Sequence, residues 1–454
     1  MASRVTGGHY HSNTGAPRIC PTNRLVERMN LVGAVSPAAV HRAANFPLGA
    51  KLAGVAPVLL HAGWRTRGTW IWSRFRALPD TACFYEPLYE DLATLSRSTM
   101  EQYSPTAWRS GHPPLRRPYF DEYRPLLHAT AHGVRRHEAN FATAGFFAEP
   151  DAALPGLRDY LALLLQTAQG ADTQPVLKFC RSLGRVGWMQ QNFPAAIHIA
   201  VARNPLAQFV SALRHFQGCG DTYFLAMPLL LLAMHRDVPD VAAAIRHLAP
   251  ALPALPCHDA LEPALAACTA HLRDSGPEQQ YRGFLAFWLA TSVRIPATID
   301  LLIDSDLLAC SAEYRSQCEI DLATLTGCSI ALGDARAESG RDAIRLAASG
   351  LSPAALRRAH HAAEAFMDER AGPAWTDSPM PGRIGAMLTY ATLLGTSPLH
   401  AVGFEPAWRY AELCPDSIRL ARVYASHSWR ITAPLRWMSL GLRAVAGGLR
   451  SAEQ

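Results

Sequence analysis

The stretch Val58 to Phe75, VLLHAGWRTRGTWIWSRF, constrains the chain most. An apolar run, Val58 to Leu60, leads into a turn rich in Gly and Arg, Gly63 to Gly68. Beyond it Thr69, Trp70, Ile71 and Phe75 are spaced like one face of a helix. The pattern predicts strand, loop, helix. A helix start carries backbone N–H groups with no partner inside the helix and about half a positive charge. A Gly-bearing turn feeding it can wrap an anion closely. Arg65 and Arg67 add permanent charge and Thr69 adds a hydroxyl, so the loop is expected to hold a phosphate or sulfate. The bland alternative is a basic surface turn before an ordinary helix.

Further strands are expected at Thr81–Tyr85, Pro175–Cys180, Ile197–Ala202 and Thr298–Ile303, with helical patterns between them, such as Pro155–Gln169. Strands alternating with helices predict an α/β fold around a mostly parallel sheet. Ligands then sit in the crevice outside the carboxyl ends of the strands. Pro87 ends the second strand and is expected to push Glu86 into an extended conformation beside the loop. At the end of the third strand Arg181 is better placed than Lys178, which reads as a surface cation unless the strand stops early.

The second strong pattern is Ile197 to Ser211. A strand runs into Arg203, Asn204 suits a helix cap, Pro205 suits the first helical position, and Ser211 follows Arg203 by eight residues. Arg offers a planar fork to phosphate oxygens and Ser a hydroxyl donor.

The composition bounds the partners. With 454 residues, 49% hydrophobic, the chain can bury a sizeable core. A net charge of +6 without long Lys/Arg runs suits an anionic small ligand better than nucleic acid. Ten scattered cysteines with no C-x-x-C pair signal neither a zinc site nor a disulfide framework. The first residues lack the apolar core of a secretory signal, and no apolar run nears the ~20 residues of a membrane helix. A cytoplasmic, reducing location is expected.

Together the two patterns resemble the 3′-phosphoadenosine 5′-phosphosulfate (PAPS)-dependent sulfotransferases, particularly the bacterial and carbohydrate-directed members. That family writes its 5′-phosphosulfate loop as basic residue, Ser/Thr, Gly, Thr, Thr/Ser, Trp. Arg65-Thr66-Arg67-Gly68-Thr69-Trp70 keeps the first, second, fifth and sixth positions and departs at Arg67 and Gly68. The Arg203–Ser211 spacing is similar to the family's 3′-phosphate motif. An aromatic-Glu-Pro, here Tyr85-Glu86-Pro87, also occurs in such enzymes, where the Glu serves in some as the general base. The family's basic Gly-rich segment near the C-terminus is not visible here.

The resemblance implies a P-loop-like three-layer α/β/α fold with helical insertions. It implies transfer of the sulfuryl group from PAPS, the co-substrate, to a hydroxyl of a saccharide or glycolipid, without a metal. Arg65 and Glu86 would be catalytic. Arg65, Thr66, Arg67, Gly68, Thr69 and Trp70 would hold the 5′ end, and Arg203 and Ser211 the 3′-phosphate. A short C-terminal stretch, Ser426 to Arg436, resembles tails of some surface-polysaccharide biosynthesis enzymes. Two alternatives stay open. A P-loop-type nucleotide kinase would need the missing loop lysine and a magnesium partner, for which Asp304 and Asp306 are the candidates. A non-catalytic nucleotide-binding member of a polysaccharide assembly pathway would bind the donor without turnover.

The expected organisation is a lead-in over 1–50, the α/β domain over 51–335 with a helical insertion at about 216–294, and a helical extension over 336–454. The last of these includes a basic amphipathic stretch suited to a membrane surface or a partner, or simply packed on the domain. Tyr103, Trp108, Arg109, His112, Arg116, Arg117 and Tyr119 are candidates for an acceptor pocket or a solvated insertion. His9 and His11 read as a tail, and His360 and His361 as residues of a polar helix face.

Overall fold

The structure is a computed structural model. It describes residues 55–103, 115, 117–129, 132–255, 261–335, 350–370 and 380–396. His9, His11, Trp108, Arg109, His112, Arg116 and the Ser426–Arg436 stretch lie outside them.

The strands are β1 (Val58–Ala62), β2 (Thr81–Tyr85), β3 (Gln174–Phe179), β4 (Ile197–Ala202) and β5 (Leu301–Asp304). They form one parallel sheet in the order β2-β3-β1-β4-β5. Val58 stands level with Val176 on one side and Ile197 on the other, and Tyr85 is level with Lys178. Every residue of β1 and β3 is buried, as a parallel sheet covered on both faces requires.

Helix α1 (Gly68–Arg76) follows β1 and packs on β1, β2 and β3. Helix α2 (Pro155–Gln169) packs on β2 and β3. From β1 the chain crosses toward one edge of the sheet to reach β2, then moves back across toward the other edge. Right-handed crossovers put the two helices on opposite faces, an arrangement compatible with three layers.

β5 begins three residues later than the apolar pattern suggests. There the Asp300 N–H donates to the His198 carbonyl at 3.1 Å, while the Asp300 carboxylate, rather than a backbone carbonyl, accepts from the His198 N–H at 2.8 Å. After β4 comes α3 (Pro205–Cys219), capped by Asn204, whose side chain accepts from Ala207 N. Four helices then fill the expected insertion: α4 (Tyr223–Met234), α5 (Pro239–Leu248), α6 (Leu261–Asp274) and α7 (Pro277–Ser292). Helix α4 is apolar all round and accordingly buried.

Beyond β5, a short helix Ser305–Cys310 and a longer one, Ala312–Thr326, complete this part. Helix α10 (Pro353–Arg370), numbered after these two, packs on α5 and α7. Its buried stripe of Ala355, Leu356, Ala359, Ala363 and Phe366 belongs to one continuous core with the sheet. His360 lies in that stripe and not on a polar face, because its ring bonds the buried Tyr281 hydroxyl at 2.7 Å; His361 is exposed.

Candidate functional site

The loop after β1 carries the site. Arg65 and Arg67 both adopt positive φ, 64° and 72°, which folds the chain back before α1 begins. Left-handed backbone costs a non-glycine residue about 1–2 kcal/mol, so the surroundings must over-determine it. The Thr66 hydroxyl donates to the Gly63 carbonyl at 2.7 Å, and Trp70 and Ile71 donate back to the Arg67 carbonyl. The first-turn N–H groups of Gly68 and Thr69 have no partner within the helix and stand at its positive end.

Gly68 is required by packing. A Cβ there would stand 2.4 Å from the Ala62 Cβ and 3.2 Å from Lys178 Cε. This glycine, a departure from the sulfotransferase loop pattern, is what lets α1 start tight against β1 with Lys178 beneath it. Lys178 is therefore not a surface cation. The strand runs on past it, yet it is buried, with Nζ 4.9 Å from the centre of the Tyr85 ring.

Lys178 pairs with Glu86. Glu86 is not extended: its φ is 45°, against the preference imposed by Pro87. Its own contacts explain this. The Glu86 N–H donates to the Lys178 carbonyl at 2.9 Å, its Oε2 accepts from Cys180 N at 2.8 Å, and Arg181 stands 3.5 Å away. Burial raises the Glu86 carboxyl, but Lys178, Arg181 and the Cys180 N–H outweigh it and hold it below the usual range. Glu86 is thus ionised at neutral pH. For Lys178, burial works against the charge, and Cys180, Glu86 and Tyr85 outweigh it, so its pKa is raised.

Arg181, at the end of β3, is also enclosed. It donates to Glu90 at 2.8 Å and to the Tyr223 hydroxyl, within three rings, Trp64, Tyr89 and Tyr223. The contributions of Trp64, Glu90 and Tyr223 were not legible in the sequence, since each comes from a different segment.

The two sequence patterns meet on the other side of the loop. Arg65 Nε donates to the Ser211 hydroxyl oxygen at 2.9 Å, linking residues 146 apart in sequence. Arg203 Nη1 donates to the Arg65 carbonyl at 2.9 Å. The Arg65 guanidinium also lies 5.3 Å from the centre of the Phe224 ring. Two guanidinium groups and a hydroxyl therefore share one corner at the ends of β1 and β4. Comparison of the chain with protein-family models, with curated proteins and with solved structures gives no match.

The proposed site residues fall into two groups. Arg65, Arg203 and Ser211 form one; Glu86, with Lys178 and Thr69, forms the other, the Thr69 hydroxyl lying 3.2 Å from the Tyr85 hydroxyl. Arg65 thus reaches toward Ser211, on the opposite flank of the loop from Glu86. Thr66 and Gly68 shape the loop itself. Trp70 is half-buried on α1 and lies 4.8 Å from the Arg74 guanidinium.

Among the candidates for an acceptor pocket, Tyr119 is buried behind β2, 5.0 Å from the Tyr85 ring. Tyr103 bonds Asp91 at 2.9 Å, and Arg117 is an exposed partner of Asp121. Asp304 caps the helix after β5, and Asp306 pairs with Arg203 and Asn204, so both are engaged by the protein's own donors.

Sequence reading also missed a buried polar chain beneath the loop. The His198 Nε2 faces the Phe193 carbonyl at 3.1 Å, which can only accept. His198 Nδ1 must then accept from His61 Nε2 at 3.1 Å, and His61 Nδ1 accepts from the Ser182 hydroxyl at 2.8 Å. Each ring is neutral in this arrangement. Burial, and then His198, push the His61 pKa well below its ordinary value. The period-2 pattern of a strand cannot show that His61, level with Ala200, reaches diagonally to His198, level with Leu59.

Proposed function

We propose that the chain is a PAPS-dependent sulfotransferase of P-loop-like architecture, acting on a hydroxyl of a saccharide or glycolipid. The observation that carries this reading is the meeting of Arg65, Arg203 and Ser211. A loop resembling the 5′-phosphosulfate motif and a segment resembling the 3′-phosphate motif are joined by a direct hydrogen bond.

In this reading the 5′ end of the donor lies against Thr66, Arg67, Gly68 and Thr69, over the start of α1, with Trp70 flanking the adenosine. Arg203 and Ser211 take the 3′-phosphate and Arg65 spans the two. The leaving phosphate oxygen gains charge as the sulfur–oxygen bond breaks, so catalysis needs fixed cations and N–H donors there. Lys178, rising under Gly68, supplies the lysine that the loop itself lacks. The acceptor oxygen bonds to sulfur and its proton passes to Glu86, which is ionised as a proton acceptor must be. The products are the sulfate ester and 3′-phosphoadenosine 5′-phosphate. No step draws on a metal.

Calorimetric titration with 3′-phosphoadenosine 5′-phosphate, in parallel with ATP and with and without magnesium, tests the reading. Magnesium-independent binding of the bisphosphate, abolished in Arg203→Ala, is expected. Binding of magnesium-ATP alone would replace the proposal with a nucleotide kinase.

A further inference from the structure

The short helix that follows β5, Ser305–Cys310, reaches into the corner where Arg65, Arg203 and Ser211 meet. Asp306 Oδ1 accepts from Arg203 Nε at 3.4 Å. Its Oδ2 accepts from the Asn204 N–H at 2.8 Å and from Asn204 Nδ2 at 2.9 Å. One carboxylate therefore holds the arginine and the capping residue of α3 together.

Asp306 is itself held. Asp304 Oδ1 accepts from Asp306 N at 2.9 Å and from Leu307 N at 3.2 Å, which sets the first turn of the helix that carries Asp306. From other directions Gln208 Nε2 and Trp288 Nε1 donate to the Arg203 carbonyl at 2.7 and 3.0 Å. The Arg203 backbone is thus fixed by α3 and α7. Its side chain is turned by Asp306 and by the Arg65 carbonyl.

A flexible arginine loses rotamer freedom when it closes on an anion, whereas one already held in its bound orientation does not. An arginine oriented by a carboxylate at Nε is directed as a fork toward what lies beyond. We infer that Asp306 is a positioning residue that orients Arg203 for a phosphate on the 3′ oxygen of the nucleotide, and so sets preference for 3′-phosphorylated over plain 5′-nucleotides. The inference rests on the sulfotransferase reading and adds to it the group that makes the 3′-phosphate matter.

The test compares 3′-phosphoadenosine 5′-phosphate with 5′-AMP, ligands that differ by the one phosphate, in wild type, Asp306→Asn and Asp306→Glu. Wild type is expected to prefer the bisphosphate by about a hundredfold, and Asp306→Asn to narrow that preference about tenfold, the scale of one hydrogen bond to a charged group. Affinity for 5′-AMP is expected to stay unchanged, and Asp306→Glu to restore part of the preference. An unchanged ratio in Asp306→Asn overturns the inference, and so does an equal loss for both ligands, which a merely structural role would give. If Asp306→Asn fails to fold by circular dichroism, the Asp306→Glu ratio decides: a preference equal to wild type then overturns the inference. Absence of any preference in wild type overturns the nucleotide reading itself, which separates the two failures.

Discussion

Arg65 and Ser211 stand 146 residues apart in the chain and 2.9 Å apart in space. The bond ties the β1 loop to the second turn of α3, so each residue buttresses the other's element. Arg65→Ala and Ser211→Ala are expected to be non-additive in stability, with a coupling of about 0.5–1.5 kcal/mol in urea unfolding. Additive losses would mean that the contact does not persist in solution.

Lys178 and Glu86 form a pair with side chains only 1% and 7% exposed. Removing one partner leaves a buried charge. Lys178→Met is expected to lower stability by about 3–5 kcal/mol, and Lys178→Met with Glu86→Gln to recover most of that loss. A double variant no better than the single would show that Glu86 finds compensation from Arg181 alone.

The absence of a side chain at position 68 is what lets α1 approach β1. Gly68→Ala would place a methyl 2.4 Å from the Ala62 Cβ, where backbone-linked atoms have little room to give. A loss of about 1–3 kcal/mol is expected, together with a weakened anion site, because the loop must lift. Unchanged melting and nucleotide affinity would rule out the tight start of the helix.

Two buried histidines, His61 and His360, and the half-buried His137 make the fold sensitive to acid. His61 is pushed well below its ordinary pKa of 6.5, chiefly by burial, and burial pushes His137 and His360 down to about 3. The unfolded chain takes up these protons near pH 6.5, whereas in the native chain His137 and His360 take theirs up only near pH 3 and His61 likewise resists protonation. Stability is therefore complete above pH 6.5 and is lost as the pH falls toward 3, by up to about 1.4 kcal/mol per pH unit per histidine. Urea unfolding at pH 8, 6 and 5 should show this, with a shallower slope in His360→Gln. An equal slope in that variant would mean that His360 titrates normally.

Asp304 acts with the opposite sign. Burial, then Asp306, raise its carboxyl from 3.8 to about 7, although it caps a helix. Its protonated form is favoured in the fold, so its contribution is present below pH 3.8 and lost as the pH rises through 7. Asp304→Asn keeps a capping oxygen and removes the charge, and is expected to stabilise by about 1 kcal/mol at pH 8 and little at pH 5. A loss at both pH values would mean that the charge itself serves the cap.

The local elements were legible because short-range chemistry determines them. Apolar runs marked the five strands, Asn204-Pro205 marked the start of α3, and Gly and Arg marked the loop after β1. The Arg203–Ser211 spacing also stood in the sequence, since residues eight apart share a strand end and the helix after it. What lay beyond it was the neighbourhood of each charge. Lys178 looked like a surface residue because nothing in its own segment shows the notch at Gly68 or the carboxylate of Glu86. Glu86 looked extended because Pro87 governs the local preference, and several contacts from β3 override it. His360 looked polar because its partner, Tyr281, belongs to another helix. In each case the deciding term is burial against a distant segment, which turns a solvated charge or ring into a paired one. By itself the sequence determined where strands, loop and caps lie; only the packing decided which polar side chains are inside, because desolvation is set by the whole fold.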